Sequence, residues 1–433
     1  MRNQILEIGA KELSYEIREI VAFANQIEKL GQIITWENIG DPVAKGEVVP
    51  RWIKDIVQKA AGENSAYGYA PTKGLEKTRE FLAQLVNSDK KIKITKEDII
   101  FFNGLGDAIN KVYGLLDPSA RVIGPTPAYS THSSAEADHA GAEHITYDCD
   151  PENKWYPDLS DLRMKAQYNP NIAGILIINP NNPTGAVYPK GILKAIVKIA
   201  EEFDLFIIAD EIYLNINYNG RRPTPLSDII GKVCGISMKG ISKEWPWPGS
   251  RCGWIEFYNV NRDPVFHEYA QAVLMKKMLE VSSTTLPQMV IPQVLSDLRY
   301  KRYQKERNQK YKKRAELAYS ILKDIKGSDI IKVEGAFYMT VAFKEGILNN
   351  RQKLTIANPK IRKLVEKESK NVALDKRFVY YLLGATGICL VPLTGFNCQR
   401  YGFRITLLEN NEEKFKWIFK TVKEKIKEYI NSN

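Results

Sequence analysis

The stretch SMKGISKEWPWPGSRCGW, residues 237–254, is the part of the sequence that says most about the fold and its chemistry. Its second lysine, Lys243, follows Gly240–Ser242 and precedes two Trp-Pro pairs. Glycine, proline and tryptophan fix a backbone path and exclude water, whereas a surface lysine usually has flexible, charged neighbours. Desolvation and a nearby cation such as Arg251 lower the pKa of a lysine amine and free its lone pair. We interpret Lys243 as a candidate nucleophile, although the stretch taken alone also suits a structural loop.

Two polar segments that end apolar runs favour a ligand site. Residues 173–178 predict a buried strand, and the sequence NPNNPTG at 179–185 predicts a loop at its carboxyl end. A second predicted strand, 205–209, ends in Asp210-Glu211, and a carboxylate behind an apolar run is destabilising unless it meets a cation. Ligands of open α/β sheets bind at this edge. A plain turn and a metal site are the alternatives, but no Walker-type phosphate loop accompanies the acidic pair.

With these segments in place, the chain resembles the class I and II aminotransferases, which are pyridoxal-phosphate enzymes of fold type I. Eight short motifs in the family's order carry the resemblance over nearly the whole chain. They are Asn38–Pro42, Tyr69–Gly74, Asn103–Ile109, Pro125–Tyr129, Asn179–Gly185, Ala209–Tyr213, Ser242–Trp254 and Gly402–Ile405. The sequence of three segments is similar to that of bacterial alanine (glutamate–pyruvate) transaminases, and these segments are residues 150–163, 177–188 and 240–243.

Length and composition predict a large soluble protein. The 433 residues suggest two or three domains, and 44% hydrophobic with 26% charged residues is ordinary for a globular chain. The charged N-terminus has no apolar signal region, and no apolar run approaches the length of a membrane span. Five scattered cysteines without metal spacing favour reduced thiols. We expect a cytoplasmic protein with no bound metal and no membrane partner.

The formal net charge of +11 raises the hypothesis of a nucleic-acid partner. Much of the excess lies at 299–314 and 414–427, where apolar residues recur at helical period, as they do in amphipathic helices with solvated charged faces. We therefore expect no nucleic-acid partner, although basic aromatic stripes can bind RNA. The basic segment 344–377 has little periodicity in its first half and is interpreted as an insertion or a mobile active-site flap.

The alternation of strands and helices between about residues 95 and 260 predicts an α/β fold with a mostly parallel sheet flanked by helices. The expected strands are 99–102, 121–124, 143–147, 173–178, 205–209, 233–236 and 253–256. After residue 300, a long charged helix, short strands near 331–333, 337–342 and 402–406, and a final helix predict a smaller α+β domain. The resemblance implies a large cofactor-binding domain at 49–305 and a discontinuous small domain at 1–48 and 306–433.

The resemblance also implies the roles of the residues around the cofactor ring. Lys243 would attach to the aldehyde of pyridoxal 5′-phosphate and later move a proton, and Asp210 would keep the ring nitrogen protonated. Tyr213 and Asn182 would donate to the 3-oxygen of the ring. Tyr129 would lie against the ring face, although an aromatic residue after proline is often part of a core.

For the phosphate, the resemblance implies a cradle at a helix N-terminus. Backbone N–H groups of Gly104, Leu105 and Gly106 would hold it, with Arg251 as a charged contact and Ser242 nearby. The chain departs from much of the family at Gly240, where a serine usually touches the phosphate. Tyr69 would reach the phosphate from a neighbouring subunit, so the resemblance implies a homodimer.

For the substrate, the resemblance implies that Arg404 grips the α-carboxylate with its two-pronged guanidinium, while Gly40 and Asn182 add hydrogen bonds. No motif identifies a second arginine for a dicarboxylate, and Arg18 and Arg400 are candidates without one.

The predicted function is an aminotransferase that moves an amino group between an L-amino acid and a 2-oxoacid by a ping-pong mechanism. Alanine or glutamate with pyruvate or 2-oxoglutarate is the preferred pair. A carbon–sulfur lyase or a cyclopropane-forming synthase on the same scaffold is the alternative. A transcription regulator is disfavoured, since the first motif begins at Asn38 and leaves no room for an N-terminal DNA-binding domain.

Overall fold

The computed structural model describes residues 5–13, 16–88 and 92–432. Its strands are β1 Thr35–Trp36, β2 Ile99–Phe102, β3 Arg121–Thr126, β4 Thr146–Asp150, β5 Tyr156–Pro157, β6 Ile172–Ile178, β7 Phe206–Asp210, β8 Gly235–Gly240, β9 Gly253–Tyr258, β10 Ser328–Ile330, β11 Tyr338–Phe343, β12 Ile388–Cys389, β13 Val391–Pro392 and β14 Gly402–Thr406.

The helices include one very short one, α8, which follows β8 directly. They are α1 Glu16–Lys29, α2 Arg51–Ala61, α3 Glu76–Asn87, α4 Leu105–Tyr113, α5 Ser130–Ala140, α6 Leu159–Tyr168, α7 Lys190–Glu202, α8 Ile241–Glu244, α9 Pro264–Met278, α10 Thr285–Ser296, α11 Leu298–Leu322, α12 Pro359–Glu368, α13 Leu374–Thr386 and α14 Glu412–Ile430.

The largest sheet of the described residues has eight strands in the order β2-β9-β8-β7-β6-β3-β4-β5. Strands β9 and β5 run against the other six. The central strands β6 and β7 are almost continuously apolar because helices cover both faces of the sheet. Alternate side chains along these strands pack into two separate cores, with Leu176 and Ile208 in one and Ile177 and Ile207 in the other. All seven strands predicted between residues 95 and 260 are present, with bounds shifted by up to three residues at their starts and up to four at their ends.

Two smaller sheets complete the fold. The order β10-β11-β14-β13 is antiparallel throughout, and β1 pairs in parallel with β12. The register places Arg404 of β14 opposite Thr340 of β11, and β14 is buried along its length. The predicted domain limits at residues 1 and 433 lie outside the described residues, and the division at 49 and 305 stays a prediction.

The interpretation of 344–377 as an active-site flap is wrong. This segment contains α12 and the start of α13, and its apolar residues Leu354, Ile356, Ile361 and Val365 are buried in the main core. Its first half lacks periodicity because it is a loop, which Gln352 pins by donating to the carbonyls of Ile347 (2.9 Å) and Ile430 (3.3 Å). Within the described parts of the chain, no helix is both long and apolar enough to cross a membrane.

Candidate active site

A cavity of about 340 Å³ lies at the carboxyl ends of β6 and β7 and reaches β14 of the small sheet. Its volume is in the range of small-molecule sites, and its position is the edge of the sheet where ligands bind in open α/β folds. Its lining residues come from widely separated parts of the chain. They include Arg18, Asn38, Gly40, Leu105, Gly106, Tyr129, Asn182, Asp210, Tyr213, Ser242, Lys243, Arg251, Tyr338 and Arg404.

Lys243 projects into this cavity from α8, which has only four residues. Its Nζ donates a hydrogen bond of 2.7 Å to the carbonyl oxygen of Gly40. Burial lowers the pKa of Lys243 to about 8; Asp41 opposes this shift, and the cations Arg404 and Arg251 add to it. An amine with this pKa is partly unprotonated near neutral pH, which nucleophilic attack requires.

Asp210 is the last residue of β7 and is held by two contacts. Its Oδ1 accepts a hydrogen bond from the backbone N–H of Ile212 (3.1 Å), and its Oδ2 lies 3.2 Å from Nε2 of His132. His132 is fully buried on α5, and its Nδ1 lies 3.3 Å from the hydroxyl of Tyr113. The second carboxylate, Glu211, points away from the cavity and accepts from Ser237 and from the backbone of Leu226.

The loop at 179–185 is braced by its own side chains. Asn181 accepts hydrogen bonds from the backbone N–H (3.1 Å) and hydroxyl (2.8 Å) of Thr184, and Asn179 accepts from the backbone N–H of Tyr188. This bracing presents Asn182 to the cavity, where its Oδ1 accepts from Nη1 of Arg404 at 3.1 Å. The loop therefore also places a side chain in the cavity, which the alternative interpretation as a plain turn does not require.

Arg404 is 1% exposed, and its guanidinium is fixed from several sides. Besides its bond to Asn182, it donates through Nη2 to the carbonyl oxygen of Asn38. Its Cζ lies 4.5 Å from the ring centre of Tyr338 and 4.9 Å from that of Phe396, so two aromatic rings flank it. Such stacking suits arginine and would be lost with lysine.

The start of α4 lies against the guanidinium of Arg251. Gly104 caps this helix with φ 89° and ψ 163°, a conformation that is essentially restricted to glycine. A Cβ on Gly104 would lie 2.5 Å from Nη2 of Arg251, so the guanidinium sits directly against the helix N-terminus. Arg251 is anchored by bonds to the carbonyls of Pro248 (3.1 Å) and Asn103 (3.4 Å). The helix dipole and this cation together favour an anion.

At Gly240, the structure gives a reason for the departure from the serine common in the family. A Cβ there would lie 3.1 Å from the carbonyl oxygen of Cys252 and 3.1 Å from Cδ1 of Ile212. Backbone on one side and a packed side chain on the other leave little room for a larger residue.

All of the predicted site residues except Gly104 and Tyr69 line the cavity. Gly104 lies beside it, against Arg251, and Tyr69 is 88% exposed. Of the two arginines without a motif, Arg18 lines the cavity, whereas Arg400 forms an ion pair with Asp148 on the surface.

Sequence reasoning missed three residues of the site: His132, Tyr338 and Asn38. His132 lies three residues after Tyr129, and this spacing at a helix start could have indicated a shared face. Tyr338 gave no such signal, because its contacts with the hydroxyl of Tyr213 (2.9 Å) and with Arg404 are long-range. Asn38 begins the first motif, but only the folded structure shows that its side-chain amide is fully buried without a partner among the described residues.

The fold and the site together define an aminotransferase of fold type I. The chain belongs to the aminotransferase class I and II family, whose sequence profile matches residues 37–415. An aminotransferase of Methanocaldococcus jannaschii, described as uncharacterized, is 57% identical over 432 residues and covers 100% of both chains. Glutamate-pyruvate aminotransferase AlaA of Escherichia coli K12 is 31% identical over 334 residues, which is 76% of this chain and 80% of that protein.

Solved structures agree with this family. An alanine aminotransferase from Pyrococcus furiosus is similar with a TM-score of 0.84 and 27% identity, over 99% of this chain and 100% of that one. The predictions of fold type and of aminotransferase class are confirmed. The lyase alternative is not favoured, because these relatives are named aminotransferases. In the described part of the chain, no group of three or more His, Cys, Asp or Glu side chains is arranged to hold a metal.

Proposed function

We propose that this aminotransferase uses pyridoxal 5′-phosphate to exchange the amino group of alanine or glutamate with pyruvate or 2-oxoglutarate. The observation that carries the proposal is the placement of Lys243 between two cationic sites in one cavity, Arg251 at the start of α4 and Arg404 on β14. One site would take the cofactor phosphate and the other the substrate carboxylate. The names of the relatives quoted above support the choice of substrates.

The residues present suit this cofactor. Bound pyridoxal phosphate supplies an aldehyde to which amines attach and a ring that withdraws electrons. Lys243 would hold the aldehyde, and its freed Nζ would move the proton at the substrate Cα. Asp210, kept in place by His132, would hold a proton on the ring nitrogen. Tyr213 and Asn182 would donate to the 3-oxygen and orient the ring.

Phosphate binding would use the backbone N–H groups of Gly104, Leu105 and Gly106 together with Arg251. Because Gly104 adopts a backbone conformation open only to glycine, the chain can pass beside the guanidinium without a side chain between them. Ser242 lines the same cavity and would complete the polar surroundings, while Tyr129 would cover one ring face.

Arg404 would bind the α-carboxylate of every substrate, because its fork has a fixed orientation between two rings. Arg18 is our candidate for the second carboxylate of glutamate and 2-oxoglutarate, since it reaches the same cavity from α1. Alanine and pyruvate have no such group and would not need Arg18.

We also propose a homodimer in the cytoplasm. The exposed side chains Tyr67 (79%), Tyr69 (88%), Leu279 (80%) and Val281 (55%) are apolar or aromatic, and a hydrogen bond from Thr72 to the carbonyl of Val281 joins their two segments. A second copy that covers this face would bring Tyr69 toward the partner's cavity. All five cysteines are free thiols, which supports a reducing compartment.

The proposal is tested by cofactor trapping followed by a donor panel. Protein loaded with pyridoxal phosphate should give a borohydride-stable adduct on Lys243, and Lys243→Ala should give none. Amino acids offered with pyruvate or 2-oxoglutarate should place alanine or glutamate near the top by kcat/KM, which reports discrimination in the transition state. An adduct on another lysine would refute the assignment of Lys243, and preference for an aromatic donor would refute the substrate pair.

A further inference from the structure

Arg307 lies inside the basic stretch 299–314, which the sequence predicts to be a solvated face, yet it is 5% exposed. Its Nη1 donates to the carbonyl oxygens of Lys243 (2.6 Å) and Glu244 (2.9 Å), the last two residues of α8. The carbonyls at the end of a helix have no partners within the helix. Arg307 therefore fixes the end of the helix that carries the reactive amine.

The other edge of the guanidinium is bound to Glu47. Its Nε and Nη2 lie 2.5 and 3.3 Å from the Glu47 carboxylate, and Nη2 also donates to the hydroxyl of Tyr311 at 3.1 Å. The Tyr311 hydroxyl in turn donates to Glu47 at 2.6 Å. Burial raises the pKa of Glu47, but Arg307, Tyr311 and Lys310 together outweigh that effect and lower the pKa overall. This ionised carboxylate keeps Arg307 in one orientation.

Both ends of Lys243 are thus bound to a single short segment, residues 40–47. The amine donates to the carbonyl of Gly40, and the backbone carbonyl is joined through Arg307 to Glu47. A lysine at this position would have only one ammonium group to serve two carbonyls and a carboxylate, whereas the planar guanidinium serves all three.

We propose that Arg307 is a positioning residue for Lys243, and that Glu47 and Tyr311 hold the Arg307 guanidinium in place. This inference rests on the proposed function, because it assigns Arg307 to the amine that would hold the cofactor. Arg307 acts through the backbone of α8 and is not among the residues that line the cavity. The reaction needs the amine close to both the cofactor aldehyde and the substrate Cα. A displacement of reacting groups by about 1 Å lowers rates by about 100-fold.

The first test compares Arg307→Lys with Arg302→Lys, a matched change at an exposed arginine of the same helix that pairs with Glu306. We expect Arg307→Lys to lower kcat about 10- to 100-fold for every amino donor, with a much smaller change in KM. It should also shift the pH at which the visible band of the bound cofactor changes and slow borohydride trapping at Lys243. The control should match the wild type in kcat, in KM, in the pH response of the band and in the rate of trapping.

The second test uses Glu47→Gln, Tyr311→Phe and the double variant Arg307→Lys/Glu47→Gln. Because the residues act as a unit, the double variant should be no slower than the slower single variant. If Arg307→Lys does not fold, Glu47→Gln and Tyr311→Phe answer the same question, because each should shift the pH response of the cofactor band.

Variants with a lower melting temperature but wild-type kcat and pH response would overturn the inference, and so would losses that multiply in the double variant. A wild-type protein without a cofactor band or a Lys243 adduct would instead refute the proposed function, and this inference with it. A normal wild-type spectrum with unchanged variants would refute the positioning role alone.

Discussion

The amine of Lys243 is buried deeply enough to disfavour its charged form, with a pKa of about 8 in the folded chain. In the unfolded chain a lysine has a pKa of about 10.4. Between these values the unfolded state binds more protons than the folded state, so the free energy of unfolding rises with pH. Below about pH 8 the folded protein carries the full cost of a buried charge. The buried amine thus lowers the stability of the folded protein near neutral pH.

We therefore expect Lys243→Met to stabilise the cofactor-free protein near neutral pH. The variant's gain in the free energy of unfolding over the wild type should be about 2–3 kcal/mol larger below pH 8 than near pH 10.5. At high pH the wild-type lysine loses its proton in the folded and the unfolded state alike, so the cost of the buried charge disappears. Urea unfolding at a series of pH values measures the difference. Lys194→Met, at an exposed position of α7, serves as the control. A difference that does not change with pH would contradict this expectation.

A second prediction at the residue scale concerns Arg18. Arg18→Gln should lower kcat/KM for glutamate by about 10-fold or more, because a hydrogen bond to a charged group contributes about 1.5–3 kcal/mol. Activity with alanine should change less than about twofold, since alanine lacks the second carboxylate. Arg400→Gln, at the surface ion pair with Asp148, is the matched control. Equal losses for both donors would assign Arg18 a general structural role.

Among the secondary-structure elements, the sequence predicted best the strands and loops that a local pattern of apolar and polar residues marks. The apolar runs of β6 and β7 gave the strands, and the polar residues that end them gave Asp210 and the loop of Asn182. Tyr338 could not be found in this way, because its partner Tyr213 lies far away along the chain. The sequence places Arg307 on a solvated face because charge is a surface signal. Its burial is explained by long-range partners, the Glu47 carboxylate and the carbonyls at the end of α8.

A prediction about a single element concerns Gly104 at the N-terminus of α4. Gly104→Ala should weaken binding of pyridoxal phosphate about 10-fold or more, since the glycine-only conformation costs about 1–3 kcal/mol for other residues and the new Cβ meets Arg251. Gly191→Ala, in α7 where no atom lies within 4 Å of the added carbon, is the control. Equilibrium binding of the cofactor to the apoprotein gives the measurement. Unchanged affinity would exclude this helix start from the phosphate site.

At the scale of the whole molecule, the exposed face around Tyr69 predicts shared active sites. Tyr69→Phe and Lys243→Ala subunits should each be weakly active or inactive alone, for different reasons. After the two are mixed under conditions that exchange subunits, hybrid dimers should recover one working site, because the intact Tyr69 and the intact Lys243 then meet across the interface. Activity of the mixture and sedimentation of the wild type test this. An active monomer, or mixing without recovery, would contradict a shared site.

The bond from Lys243 to the carbonyl of Gly40 has a consequence for exchange at the cavity. When the lysine engages another group, this partly buried carbonyl loses its donor, and a carbonyl shielded from water without a partner is unfavourable. An incoming substrate ammonium is a suitable replacement, so one amine would leave the carbonyl as another arrives. The carbonyl of Gly40 would then accept a hydrogen bond from whichever of the two amines is not bound elsewhere. A carboxylate could bind only to the N–H of Gly40.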